Sequence, residues 1–166
     1  ALSGELSQME LDIPIKYLGP LSRFAPSNPR RYSIPVLAIL SGPEPQRTML
    51  EEALVPILSQ IEGARLIRGV MEDSTSTELG SLRIQGHALA VELEGLLQAA
   101  EQVICRSGYS SIMDLAALDK AAILIPTPGQ PEQEYLATYL SARPKYKSML
   151  QDRLSKDLLS HLSHDE

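Results

Sequence analysis

The sequence predicts a doubly wound α/β fold, that is, a Rossmann-like parallel sheet with helices on both faces. Short apolar runs, such as residues 34–40 and 121–126, alternate with longer stretches in which apolar residues recur at helical spacing. The runs are apolar throughout, which is typical of parallel strands buried on both faces. A length of 166 residues fits one domain of this kind.

Each predicted strand is an apolar stretch that ends at a turn-forming residue or near a predicted helix. In chain order these strands are residues 13–19, 34–40, 64–70, 82–87, 102–105 and 121–126. A Gly-Pro pair ends the first strand, and Gly42 lies in the turn that ends the second. Residues 71–81 are polar and are predicted to form a loop.

Each predicted helix carries apolar residues three or four positions apart, which places them on one face. These helices are residues 46–61, 90–100, 110–119 and 132–142. Pro56 should kink the first helix, because proline lacks the backbone N–H that the helix needs. A final helix within residues 143–166 is predicted from regularly spaced leucines, namely Leu150, Leu154, Leu158 and Leu162.

The composition excludes several classes of protein. A formal charge of −6 argues against a nucleic-acid-binding surface, which needs basic residues to neutralise phosphates. The single cysteine rules out an internal disulfide, and no Cys/His cluster has zinc-site spacing, so we expect a cytoplasmic protein without a metal. The longest apolar runs are far shorter than the roughly 20 residues that span a bilayer. The chain begins without an initiator Met or a signal peptide, and we expect a fragment of a longer protein.

Loops that follow the carboxyl ends of strands are the places where open parallel sheets bind ligands. The loops in question are residues 41–47, 106–111 and 126–134. In the second loop, Gly108 would let the backbone approach an anion closely. Ser107, Ser110 or Ser111 would donate a hydroxyl to that anion or cap the helix. The alternative is an ordinary capped turn without a ligand.

Nucleophilic catalysis by Cys105 or Ser107 is disfavoured by the local pattern. A serine elbow has the pattern G-x-S-x-G, whereas a single glycine follows Ser107 here. A thiol at the end of an apolar strand is usually an inert core residue. His87 is assigned no role, because a lone histidine is more often structural than catalytic.

Asp114 lies one helical turn after Ser110 and therefore shares the side of the helix that begins in the crevice. An acid there would accept hydrogen bonds from sugar hydroxyls, as the acid after a dinucleotide-binding loop does with ribose. The alternative is a solvated acid stabilised by the helix dipole. Gln133 and Glu134 would likewise bond to sugar hydroxyls or be ordinary first-turn side chains.

Residues 103–140, VICRSGYSSIMDLAALDKAAILIPTPGQPEQEYLATYL, combine these features. This stretch resembles the donor-nucleotide half of the two-domain (GT-B) glycosyltransferases, in particular the family 28 C-terminal domain. In that family a strand ends in a Ser/Cys-Arg-Ser/Ala-Gly turn and the next helix carries an acid. A second strand then ends in proline, and a glutamine-rich loop opens another helix. The matching residues are Cys105, Arg106, Ser107, Gly108, Asp114, Pro126 and Gln133.

The resemblance implies half of a GT-B fold and a UDP-sugar as the donor substrate, with no other cofactor. The site residues that it implies are Arg23, Ser41, Gly42, Leu89, Ala90, Ser107, Gly108, Tyr109, Ser110, Asp114, Gln133 and Glu134. In this arrangement Leu89 and Ala90 would lie by the uracil, and Asp114 would bind the ribose hydroxyls. Residues 107–110 would form the diphosphate turn.

The resemblance also implies contacts with the sugar and the phosphates of the donor. Gln133 and Glu134 would face the donor sugar, whereas Arg23 would approach the phosphates from the interdomain loop. Arg106, although charged, is predicted to tie its loop to the fold. No residue of this chain is assigned a catalytic or metal-binding role.

This sequence departs from the family pattern at several positions. The family's Gly-Gly-Ser-x-Gly first loop has become Ser-Gly-Pro-Glu-Pro-Gln at residues 41–46, which removes amide donors and brings Glu44 near the expected diphosphate. The family's glutamate is shortened to Asp114, and Ala137 stands where an asparagine usually follows the glutamine pair. These changes lie at residues that would contact the donor, so they bear on which donor is bound. They do not change the fold that we expect.

The predicted organisation is one donor-nucleotide-binding domain over residues 1–166. Residues 1–33 would form an interdomain strand and loop, 34–142 the core, and 143–166 the C-terminal helix. The resemblance implies that an N-terminal acceptor domain of the longer protein supplies the catalytic base and any peripheral contact with the membrane. The fragment alone is therefore expected to bind nucleotide without transferring sugar. The alternatives are a UDP-N-acetylglucosamine 2-epimerase-like domain and a non-catalytic flavodoxin-like nucleotide-binding module.

Overall fold

The computed structural model describes residues 2–8, 12–25, 32–154, 158 and 162. Within this part of the chain the strands form one sheet, in which all neighbouring pairs are parallel except one. The strands are β1 (Ile34–Ile39), β2 (Arg65–Ile67), β3 (Ser76–Leu79), β4 (Leu82–Gln85), β5 (Ala100–Cys105), β6 (Ala122–Leu124) and β7 (Tyr146–Ser148). Their spatial order is β3-β4-β2-β1-β5-β6-β7, and the antiparallel pair is β3 with β4.

Helices cover both faces of the sheet, as the sequence predicts. They are α1 (Gln46–Leu58), α2 (Ala90–Ala99), α3 (Tyr109–Ala117) and α4 (Pro131–Leu140). Successive residues of β5 alternate between the two layers: Val103 and Cys105 pack with α2, α3 and α4, whereas Ile104 packs with α1. The predicted doubly wound α/β class is therefore confirmed. Among the described residues, no helix is long and apolar enough to cross a membrane.

The predicted strand at residues 13–19 is wrong. Residues 14–20 have no regular secondary structure, and side chains such as Ile13, Tyr17 and Leu18 are exposed. An apolar stretch becomes a strand only where a neighbouring strand pairs with its backbone, and none of the described strands does so here.

The loop predicted at residues 71–81 contains β3, which was missed. Every residue of β3 is exposed, so the strand lacks the apolar pattern by which its neighbours were found. Its strand character comes from pairing with β4 across a two-residue turn at Gly80 and Ser81. Gly80 has a φ of 62°, which glycine adopts without strain. This turn was the available sequence signal for the hairpin.

Among the described C-terminal residues, three of the four leucines of the predicted stripe pack together, and residues 143–150 do not belong to the predicted helix. Residues 146–148 form the edge strand β7. Leu154 and Leu158 are buried against α1 and the sheet, and Leu162 packs beside them. Leu150 precedes the helical residues and is 51% exposed. Pro56 lies in the last turn of α1, which ends at Leu58 rather than at residue 61.

Candidate functional site

The order of the strands places a crevice beside β1. This strand pairs with β2 on one side and with β5 on the other, so the chain crosses over in opposite directions on its two sides. Doubly wound sheets bind ligands at this switch point, outside the carboxyl ends of the strands. A pocket of about 240 Å³ lies there. Its lining includes Arg23, Ser41, His87, Ala88, Cys105 and Asp114.

Asp114 is held in the wall of this pocket by the segment that precedes the sheet. Its Oδ1 accepts a hydrogen bond of 2.7 Å from Ser22 Oγ, and its Oδ2 lies 3.6 Å from Nε of Arg23. The Asp114 side chain is 16% exposed, whereas that of Arg23 is 58% exposed. Two predicted site residues that are far apart in sequence therefore meet at one pocket, as an ion pair between an exposed guanidinium and a mostly buried carboxylate.

The buried side chain of Arg106 links the three loops that border the crevice through hydrogen bonds. Its guanidinium donates hydrogen bonds to the backbone carbonyls of Ile125, Pro126 and Gln46, at 3.4, 3.1 and 2.8 Å. The residue is 1% exposed, and this burial lowers the pKa of its guanidinium. Because these donors are directed at the protein's own carbonyls, the prediction that Arg106 ties its loop to the fold is confirmed.

The turn after β5 buries Ser107 and exposes the residues that begin α3. Ser107 is fully buried, and its Oγ donates a 2.7 Å hydrogen bond to the carbonyl of Gln133. Gly108 follows as the N-cap of α3, and Tyr109 and Ser110 are exposed in the first turn. The open N–H groups of this first turn, together with the helix dipole, are suited to an anion. Because Ser107 has no exposed surface, neither its hydroxyl nor its backbone is open to a diphosphate in this structure, and the backbone N–H groups that follow it would make the predicted contact.

We expect Gly108→Ala to weaken the binding of UDP, the ligand implied by the resemblance, by at least about tenfold while leaving the fold intact. Gly108 has an ordinary φ of −71°, and a Cβ built there meets nothing within 4 Å. Neither its conformation nor protein packing therefore requires glycine, so the stability cost should stay below about 1 kcal/mol. A methyl group would stand where an anion must approach the backbone. Calorimetric titration and thermal melting measure the two effects.

Gly95→Ala is the matched control, because Gly95 lies inside α2 and a Cβ there also meets nothing within 4 Å. This variant should gain up to about 1 kcal/mol of stability and keep its affinity for UDP. Wild-type affinity in the Gly108→Ala protein would show that no ligand approaches this turn.

The acid in the loop after β1, Glu44, is paired with donors at the start of α1. Glu44 accepts hydrogen bonds from the Arg47 guanidinium and from the backbone N–H of Thr48, the latter at 3.2 Å. The side chain of Thr48, which has the larger effect, and that of Arg47 lower the pKa of the Glu44 carboxyl. Ser41 and Gly42 are exposed before it, and Gly42 has a φ of 103° that favours glycine. The negative charge of Glu44 is thus paired with a cation at the start of α1.

Gln133 and Glu134 hold the loop in front of α4. Gln133 accepts a 3.0 Å hydrogen bond from the backbone N–H of Thr127 and donates one of 2.5 Å to Gln130. Glu134 accepts a 2.9 Å hydrogen bond from the backbone N–H of Gly129. Both side chains therefore order the loop in this structure. Their contact with a donor sugar stays a prediction, and it would use the remaining amide proton and carboxylate oxygen.

The predicted positions Leu89 and Ala90 do not line this pocket but follow residues that do, whereas Cys105, which was predicted to be inert, is part of the lining. Leu89, 67% exposed, and Ala90 begin α2, directly after the lining residues His87 and Ala88. Cys105 is in the floor, and burial raises the pKa of its thiol to about 12. At neutral pH the thiol is therefore protonated, as expected for an inert core cysteine. No group of three or more metal-ligating side chains occurs in the part of the chain that the structure describes.

Comparison with known proteins identifies the family. The model of the glycosyltransferase family 28 C-terminal domain matches residues 64–165. A UDP-N-acetylglucosamine–N-acetylmuramyl-(pentapeptide) pyrophosphoryl-undecaprenol N-acetylglucosamine transferase of Methylorubrum populi is 33% identical over 111 residues. That alignment covers 61% of this chain and 30% of the relative. The chain therefore spans less than a third of the length of this relative.

Solved structures show the same fold at low sequence identity. MurG of Acinetobacter baumannii is similar with a TM-score of 0.58 and 19% identity, covering 81% of this chain and 43% of that one. The glycotransferase of kitacinnamycin is similar with a TM-score of 0.52 and 15% identity, covering 89% and 40%. The predicted half of a GT-B fold agrees with these neighbours. Since the family model covers more than half of its length, the chain belongs to the glycosyltransferase family 28 C-terminal domain family.

Proposed function

We propose that this chain is the UDP-sugar-binding half of a glycosyltransferase that transfers a hexose or N-acetylhexosamine to an acceptor. The observation that carries the proposal is the paired Asp114 and Arg23 in the wall of the switch-point pocket of a family 28 C-terminal fold. The relative in Methylorubrum populi is named for transfer of N-acetylglucosamine from a UDP-linked donor. The family match favours this function over an epimerase-like or flavodoxin-like domain.

The donor would lie along the crevice, with its ribose at Asp114 and its diphosphate at the first turn of α3. Asp114 offers carboxylate oxygens to the ribose hydroxyls, and the exposed guanidinium of Arg23 is available to the phosphates. The helix N-terminus at Gly108 adds backbone N–H donors. The Arg23 guanidinium and these N–H donors, unlike the Asp114 carboxylate, would stabilise the negative charge that grows on the diphosphate as the sugar leaves.

Sugar transfer also requires a base that removes the proton of the acceptor hydroxyl. We assign this base, and the acceptor site, to an N-terminal domain of the longer protein, which is the partner of this chain. In the full-length protein that domain would also provide any peripheral contact with the inner face of a membrane. The cytoplasm, where nucleotide sugars are available, is the compartment that this function needs.

Isothermal titration calorimetry with UDP tests the proposal. The isolated domain should bind UDP with a dissociation constant up to the millimolar range and should transfer no sugar from UDP-N-acetylglucosamine. Arg83→Ala provides the control, because Arg83 lies on β4 and its exposed side chain pairs with Glu78 outside the pocket. An absence of binding heat with wild-type protein at millimolar UDP would contradict the proposal.

A further inference from the structure

A second pocket, of about 590 Å³, also borders the first turn of α3. Tyr109 of this turn lines the second pocket, whereas Ser111 lines the switch-point pocket. The other described lining residues come from the start of α4 and from the segment that precedes the sheet, namely Pro131, Glu132, Tyr135, Ser3, Leu6 and Ser7. The turn at which the diphosphate would bind therefore borders both pockets.

One wall of the second pocket is a short helical turn, Gly4–Ser7, that packs on α4 and is called the N-terminal turn below. The backbone N–H of Glu5 donates a 2.8 Å hydrogen bond to the hydroxyl of Tyr135. Gly4 is buried with a φ of 54°, and a Cβ there would overlap the same hydroxyl. Tyr135 stacks on Tyr139 with ring centroids 5.8 Å apart, which restrains its movement. The contact with α4 therefore requires glycine at position 4.

The lining of the second pocket favours a neutral ligand that carries hydroxyl groups. The rings of Tyr109 and Tyr135 supply apolar surface, and Ser7 and Glu132 supply hydrogen-bond acceptors. No lysine, arginine or histidine occurs among the described residues that line the pocket, so none of them offers a cation to an anionic group. A pyranose ring suits this lining, because its C–H groups pack on aromatic rings and its hydroxyls donate to a carboxylate.

We propose that the second pocket receives a neutral donor sugar and that the N-terminal turn forms its outer wall. The inference rests on the proposed function, in which the ribose lies at Asp114 and the diphosphate at the first turn of α3. The sugar, attached beyond the diphosphate, would then enter the second pocket, which the same turn borders. The N-terminal turn lies outside residues 64–165, so this wall is not part of the domain that the family model matches.

Glu132 would make the second pocket selective against acidic sugars. Its carboxylate lines the pocket, and no basic side chain among the described lining residues offsets its charge. The carboxylate of glucuronic acid would therefore meet a like charge without a compensating cation, which is unfavourable. N-acetylglucosamine carries no charge and would donate hydroxyl hydrogen bonds to the same group.

Calorimetric titration of UDP, UDP-N-acetylglucosamine and UDP-glucuronic acid into the wild-type domain tests the pocket. We expect UDP-N-acetylglucosamine to bind about tenfold more tightly than UDP, because the sugar adds contacts. UDP-glucuronic acid should bind no more tightly than UDP. Glu132→Gln should bind UDP-glucuronic acid about tenfold more tightly than wild type does and leave the affinity for UDP within about twofold.

Gly4→Ala tests the wall, because its Cβ would displace the N-terminal turn from Tyr135. This variant should bind UDP as wild type does and lose most of the preference for UDP-N-acetylglucosamine over UDP. Gly19→Ala is the matched control, since Gly19 lies in the same segment and also has a positive φ, of 80°, but a Cβ there meets nothing within 4 Å. It should keep the tenfold preference.

The possible outcomes separate this inference from the proposed function. If wild type binds UDP and UDP-N-acetylglucosamine equally, the sugar pocket is overturned and the UDP site stands. Retention of the full preference by Gly4→Ala, or equal losses for both ligands, would overturn the role of the N-terminal turn. If wild type binds neither ligand, both the inference and the proposed function fail.

Discussion

Replacing Asp114 with alanine is expected to weaken UDP binding by about 10- to 100-fold while the domain stays folded. The carboxylate is the group that would accept hydrogen bonds from the ribose hydroxyls, and bonds to a charged acceptor contribute about 1.5–3 kcal/mol. Its ion pair with Arg23 adds little stability, because water screens the 58% exposed guanidinium, and the single hydrogen bond from Ser22 contributes about 1 kcal/mol. Calorimetric titration measures the loss, and thermal melting checks the fold.

Two further variants distinguish the effect of the Asp114 carboxylate on affinity from the effect of the segment at residues 21–24, which it contacts. Asp114→Asn keeps an oxygen for Ser22 but removes the charge, and it should fall between wild type and alanine. Ser22→Ala removes the 2.7 Å bond to Asp114 and leaves the carboxylate in place, so its affinity should stay within about threefold of wild type. If Ser22→Ala lost as much affinity as Asp114→Ala, the order of the segment at residues 21–24 would explain both results.

Replacing Arg106 with alanine is expected to lower the free energy of unfolding by about 3 kcal/mol or more. The substitution leaves the carbonyls of Ile125, Pro126 and Gln46 without this donor and opens a void at a site that is 1% exposed. Each buried acceptor left unpaired costs about 1–3 kcal/mol. Urea denaturation followed by circular dichroism measures the difference.

Arg83→Ala again serves as the control, since it removes an exposed arginine from β4 and an exposed ion pair with Glu78. Its stability should change by less than about 1 kcal/mol. Equal unfolding midpoints for the Arg106→Ala and Arg83→Ala proteins would mean that the buried guanidinium does not hold the crevice loops together.

The central sheet was predictable from the sequence because its strands carry their signal in their own residues. The run that forms β1 is apolar throughout, as burial under helices on both faces requires. The exposed strand β3 carries no such signal, since its pairing with β4 depends on backbone and on the turn at Gly80. Residues 13–19 were predicted to be a strand from their apolar side chains but do not form one, because apolar side chains alone do not supply a pairing partner.

The sequence was sufficient to predict which loops form the candidate site. The rule that ligands bind at the carboxyl ends of parallel strands located the crevice, and the structure brings Arg23 and Asp114 together there. The engagement of Ser107 with Gln133 was not predictable, because it depends on how closely the loops after β5 and β6 approach.

The structure also changes the meaning of one departure from the family pattern. Glu44 was expected to place a negative charge near the diphosphate. In the structure its carboxylate bonds to Arg47 and caps α1, so its charge is paired within the loop. The direction of a surface side chain depends on its neighbours in space, which sequence spacing alone does not give.

The proposed donor site is tested most directly by soaking crystals of this domain with UDP-N-acetylglucosamine. The electron density at the switch-point pocket then shows whether a nucleotide is bound. We expect a nucleotide whose ribose hydroxyls lie within hydrogen-bonding distance of Asp114 and whose diphosphate lies over the backbone at Gly108. Well-defined protein density with an empty crevice at millimolar ligand, or a nucleotide bound elsewhere on the domain, would contradict it.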